Sequence, residues 1–115
     1  MRPLFAALIA LCLSPLPASA DDPMRGFGVH TCSEYFDLYN KNKDMADTVF
    51  GSWAMGFMSA TNVSLMSQQK RYHDLGGMPL EDQMTKVRDY CTAHPKDDFW
   101  QAVIELYNSL PVKPM

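Results

Sequence analysis

The residues of this 115-residue chain equipped for chemistry are three cysteines, three histidines and a scatter of serines and carboxylates. Cys32 and Cys91 can cross-link covalently, while Cys12 sits in an apolar run near the N-terminus. His30, His73 and His94 stand in no H-E-x-x-H or comparable spacing, and a zinc site needs three or four convergent ligands. His30, two residues before Cys32, comes closest to a ligand pair, and a core-facing disulfide cysteine is the competing state. Ser52, Ser59, Ser64 and Ser67 have no G-x-S-x-G turn and no paired base. Glu34 and Asp37 are three apart and read as one solvated helix face. Gly76-Gly77 lacks the G-K-[ST] that would make a phosphate loop. The expectation is a protein with no catalytic residue, no metal and no cofactor, one that works by binding.

The compartment decides what the cysteines do. Met1-Arg2 is followed by an apolar run from Leu4 to Leu13, and Ala18-Ser19-Ala20 matches a signal peptidase site. The run is shorter than the roughly 20 residues that span a bilayer. Cleavage after Ala20 removes Cys12 and leaves 95 residues with two cysteines. In an oxidising compartment one Cys32–Cys91 bridge is the economical reading. It closes a loop of about 60 residues, for roughly 4 kcal/mol on the chain-entropy model. Without Arg2 the mature chain carries nine basic and thirteen acidic residues, a net charge of −4 with neutral histidines. That balance has no basic patch for nucleic acid, and no second apolar run is available for a membrane span. A soluble periplasmic protein is expected.

Helices must position these residues. Asp21 to His30, with Pro23, Gly26 and Gly28, reads as a flexible leader. Thr31-Cys-Ser-Glu34 is a capping box, and Cys32, Tyr35, Phe36 and Tyr39 follow at helical spacing, so Cys32 faces the core. After a polar link at 43–47, where Asp44 or Asp47 can act as N-cap, comes the hub. Phe50, Trp53, Ala54, Phe57, Met58 and Thr61 form an amphipathic stripe. Phe50, Trp53, Gly56 and Phe57 are expected to anchor the core, and Ser52, Gly56 and Ala60 form a small-residue column open to close approach. Residues 68–78 read as a loop or frayed helical end. Pro79 opens a third helix with Leu80, Met84, Val87 and Cys91 on its stripe. A fourth, starting near Pro95, carries Phe99, Ala102, Val103, Leu106 and Leu110 and stops at Pro111. Residues 111–115 read as a loose tail. With no alternating strand, the fold class is all-α, a four-helix domain over 31–110.

Eight methionines remain in the mature chain. Met-rich surfaces repack around varied partners. Met58 and Met84 lie on core stripes, whereas Met55, Ser59 and Met66 are the candidate partner surface.

Taken together, Thr31-Cys32-Ser-Glu-Tyr-Phe36, Trp53-x-x-Gly56-Phe57-x-Ser59 and Tyr90-Cys91-x-x-His94-Pro95 resemble the HdeA/HdeB family of periplasmic acid-stress chaperones. The resemblance implies a disulfide joining the first and third helices. It also implies a homodimer that dissociates in acid and exposes apolar surface to unfolding clients. A weaker resemblance is to the Tai/Rap immunity proteins of type VI secreted amidases, also exported, helical and disulfide-bonded. That alternative implies a neutral-pH complex with one toxic cell-wall amidase. By about pH 2 the thirteen carboxylates would be neutral and the mature chain near +12, a swing that most small acidic proteins would share.

Overall fold

Three of the four helices begin at a residue whose side chain can accept from an orphan N–H group, and the third helix starts after Pro79 without such a cap. Thr31 accepts from the Glu34 amide at 3.2 Å and Glu34 from the Thr31 amide at 2.7 Å, the expected capping box. It opens α1 (Cys32–Lys41). Asn42 ends that helix and caps the next, taking the Met45 amide at 3.0 Å, so α2 (Lys43–Gln69) starts without a separate link. The capping role expected for Asp44 or Asp47 therefore falls to Asn42. After α3 (Leu80–Ala93), a second capping box, Asp98 with Gln101, sets α4 (Phe99–Ser109) four residues later than the Pro95 expectation. The computed structural model describes residues 22–115. The expected export signal and its cleavage site lie outside the described residues.

The fold is all-α, four helices with a Cys32–Cys91 disulfide from α1 to α3. Both cysteines are fully buried. Around them sit Tyr35, Phe50 and Phe99, whose rings meet at 4.8–5.3 Å, in the range where aromatic pairs gain beyond burial alone. The first N–H groups of α1 find acceptors in the α3–α4 connection. Cys32 donates to the Asp97 carbonyl at 2.8 Å, and Ser33 donates to that of Pro95 at 3.0 Å. This satisfies donors that a helix start leaves unpaired. It also fixes the α3–α4 corner beside the disulfide.

The stripes hold with informative exceptions. On α4 all five expected residues are buried. On α3 Met84, Val87 and Cys91 are buried, but Leu80 is 61% exposed and Gln83 takes its place inside. Gln83 Nε2 donates to the Leu75 and Met78 carbonyls, both at 2.8 Å, and so pins the loop leading into α3. The buried donor satisfies two loop carbonyls that would otherwise be dry, while Gln83 Oε1 is buried without a partner among the described residues.

Three segments expected to be loose are not. Within 68–78 lies β1 (Arg71–His73), antiparallel to β2 (Val112–Pro114), which comes from the segment expected as a tail. Lys70 caps α2 with φ 53° and turns the chain into β1. The Asn62 side chain then acts as a third strand. It donates to the His73 carbonyl at 2.7 Å and accepts its amide at 2.9 Å, while the Tyr107 hydroxyl donates to Asn62 Oδ1 at 2.8 Å. A three-residue ribbon lacks the local signal to be read from sequence, and it exists here because a helix side chain completes its hydrogen bonding.

The third segment is the leader. Phe27–Val29 forms one turn of 3-10 helix lying across the hub. Phe27 packs on Phe50 at 5.0 Å, the Phe99 amide donates to the His30 carbonyl at 2.8 Å, and Trp53 Nε1 donates to the Arg25 carbonyl at 2.9 Å. Gly28 is buried flat against the indole, and a Cβ there would fall inside the Trp53 ring. Residues 25–30 are thus a packed strap. Gly28→Ala is expected to cost about 1–3 kcal/mol through overpacking and to raise acrylamide quenching of Trp53 fluorescence in a Trp100→Phe background. Unchanged quenching and stability would refute this account of the strap.

Candidate functional site

The hub divides into two faces. Ala46, Phe50, Ala54 and Met58 are buried at intervals of four, while Trp53 and Phe57 are half-buried and stacked at 5.2 Å. Gly56 departs from the expected core role, since it is exposed and nothing lies within 4 Å of where its Cβ would be. Ser52, Ser59 and Ala60 are exposed with it. Within the small-residue column Ser52 borders the groove between α2 and α3, while Gly56 has open space before it.

Between α2 and the start of α3 lies an open groove of about 600 Å³. Gly51, Met55 and the exposed Leu80 form its apolar floor, with Lys43, Asp44, Asp47 and Glu81 on its rim. Of the residues expected at a partner surface, Met55 lines this groove. Ser59 and Met66 lie four and eleven residues further along α2, on nearly the same side of the helix. Ser59 is exposed and Met66 half-covered, so the three line one side of α2 without forming a single pocket.

Behind the rim is a charge cluster that joins three helices. Asp47 is 19% and Arg88 15% exposed, and Arg88 Nη1 reaches Asp47 Oδ1 at 3.3 Å. Its Nη2 reaches Glu81 at 3.3 Å. Lys43 donates to the other Asp47 oxygen at 3.1 Å, and the Tyr35 hydroxyl donates to Asp47 at 3.0 Å. Arg88 also lies over the Tyr39 ring at 5.2 Å. Burial pushes the Tyr35 phenol well above its ordinary range, and the Asp47 carboxylate adds to the rise. The hydrogen bond to Asp47 likewise holds the Lys43 ammonium above its usual value. Two further carboxyls are held down. The Thr31 backbone amide lowers Glu34, with the nearby His30 adding to it, and Lys113 at 2.7 Å lowers Asp74.

The sequence offers no mark for this cluster. Asp47 and Arg88 are 41 residues apart on different helices, and each is one charge among many dispersed ones. Only Glu81 and Arg88, two turns apart on α3, share a readable face.

The remaining chemistry-bearing residues are tied into structure. His30 pairs with Glu34 at 3.3 Å, the His73 ring lies tilted against that of Tyr107 at 4.0 Å, and His94 caps α3. Glu34 belongs to a capping box rather than to a paired-carboxylate site with Asp37. Among the described residues no three His, Cys, Asp or Glu side chains are grouped to hold a metal ion, and no helix is long and apolar enough to cross a membrane. Comparison with protein-family models, curated proteins and solved structures returns no match.

Proposed function

We propose that the chain is an exported, non-enzymatic periplasmic binding protein that acts as an acid-stress chaperone, in the manner of the HdeA/HdeB proteins it resembles. The observation that carries the reading is the position of the Asp47–Arg88–Glu81 cluster beside an apolar-floored groove. Three helices meet at that cluster, and two of its members are carboxylates. At pH 2–3 carboxylates as a class are protonated while arginine keeps its charge. Arg88 is then left without counter-ions in a partly buried place, which favours separation of α3 from α2 and exposure of Met55, Met84 and the floor around them. The buried disulfide keeps α1 and α3 tethered while this happens, so opening stops short of full unfolding.

The test is the aggregation of an acid-labile client protein at pH 2–3 with and without the mature domain. Suppression at acid pH and none at pH 7 is the expected result, and equal behaviour at both would sink the proposal. One feature favours a second reading: the groove is open with Leu80 exposed while the charge cluster is intact. An immunity protein neutralising a secreted cell-wall amidase would use such a preformed surface. It would bind one effector stoichiometrically at pH 7, and a gene for that effector would lie beside its own.

A further inference from the structure

We infer that the groove between α2 and α3 is a docking site for a cationic amphipathic helix of another protein, which lays a large apolar residue on the floor and sets lysines or arginines against the rim. Such docking uses the groove as it stands at neutral pH and does not need the acid opening proposed above.

The floor is apolar and the chain's own fold leaves it uncovered. Leu80, at the first position of α3, is 61% exposed, and Met55 lines the same groove half-buried. Gly51 deepens the floor between them. A Cβ there would meet only the Met84 Sδ, at 3.6 Å, an ordinary contact. An alanine would therefore fit within the chain and hold the helix better than glycine does. What the missing side chain leaves is room in the groove. The flexible thioether of Met55 adapts to the shape of what it meets.

The rim sets the sign of the partner. Asp44, Asp47 and Glu81 line the groove with one cation, Lys43. With Arg88 counted behind the rim, the carboxylates still number three against two. Asp47 is spent on Arg88, Lys43 and the Tyr35 hydroxyl. Asp44 on the α2 bank makes no ion pair among the described residues. Glu81 on the α3 bank has a side chain 69% exposed and open to a further cation. A carboxylate on each bank of an apolar floor suits lysine or arginine on either side of an apolar residue, and disfavours nucleic acid and anionic lipid.

The banks set its conformation. Both are helices, whose backbone groups beyond the first turn are bonded within the helix. An extended segment would find few main-chain partners there, whereas a helix brings its own hydrogen bonds and presents an apolar stripe. Cations one turn before and one turn after the apolar anchor share its face, which places them over the two banks.

Fluorescence anisotropy of a labelled amphipathic peptide of leucine and lysine, added to the oxidised mature chain at pH 7, tests this. A length of about fourteen residues is near the shortest that holds a helix in water. Binding in the micromolar range is expected, with the glutamate counterpart of the peptide at least about tenfold weaker. Gly51→Leu should weaken the lysine peptide at least about tenfold, because its branches occupy the floor. Gly56→Leu adds the same side chain where nothing lies within 4 Å and should bind like the parent. Helical circular dichroism should be the same for both variants. Asp44→Lys reads the rim separately, and should weaken binding whether or not Gly51→Leu folds. No binding, equal binding of the glutamate peptide, equal effects of Gly51→Leu and Gly56→Leu, or an indifferent Asp44→Lys would each overturn the inference. Client aggregation at pH 2–3 reads the acid proposal on its own, so either can fail while the other stands.

Discussion

Replacing Cys32 and Cys91 together by alanine is expected to lower the unfolding free energy by about 4 kcal/mol, the loop-closure value for a bridge spanning some 60 residues. For a small domain whose total stability is about 5–15 kcal/mol, that is a large fraction. The thermal midpoint should fall by roughly 20 °C, since each kcal/mol shifts a domain of this size by several degrees. Either single replacement should cost nearly as much as the pair, because the second adds little once the bridge is gone. Circular dichroism melts of the three variants at neutral pH check this. A single variant that melts like the parent would mean the bridge carries none of the stability. Both sulfurs are fully buried between α1 and α3, so thiol reagents should leave the native protein unlabelled.

Asp47→Ala should cost about 2–3 kcal/mol at pH 7, because it removes the less exposed of the two carboxylates paired with the partly buried Arg88 and leaves the exposed Glu81. The loss should be smaller at pH 2, where carboxylates as a class are protonated. A double-mutant cycle with Arg88→Met isolates the pair from the packing of either side chain. A cost that is the same at both pH values would assign Asp47 a packing role and remove the basis for an acid trigger there. The parent itself should weaken in acid with a definite sign. Glu34 and Asp74 are both held below their ordinary values of 4.5 and 3.8. A carboxyl depressed in the folded state contributes stability above its unfolded value and loses it as pH falls through the folded one. Denaturation midpoints should therefore be flat above pH 5 and decline below about pH 4. The α1 cap at Glu34 and the Asp74–Lys113 tie on the ribbon should weaken in the same window.

Hydrophobic spacing made the helices and their inner faces legible. The α4 stripe is buried in full, the Thr31–Glu34 box opens α1 as expected, and Cys32 and Cys91 lie on stripes that meet in one core. These features rest on interactions within four residues, which the order of residues alone specifies. Leu80 misled because a helix start can swing one stripe position outward when a loop needs a buried donor, and Gln83 supplied it. Gly56 misled because a small residue on a helix signals room for close approach without saying which molecule fills it.

What the sequence by itself determined is the all-helical class, the half-cystine pair and the start of α1 at its capping box, set by local periodicity and capping. What only the tertiary structure decided is everything that depends on distant residues meeting. Asp47 finds Arg88 across 41 positions, Asn62 completes a ribbon made from residues 71–73 and 112–114, and Gly28 lies on the Trp53 indole 25 positions later. Each of these contacts is specified by packing geometry rather than by neighbouring residues. The candidate site is built from such contacts, so its groove and charge cluster came into view only with the fold.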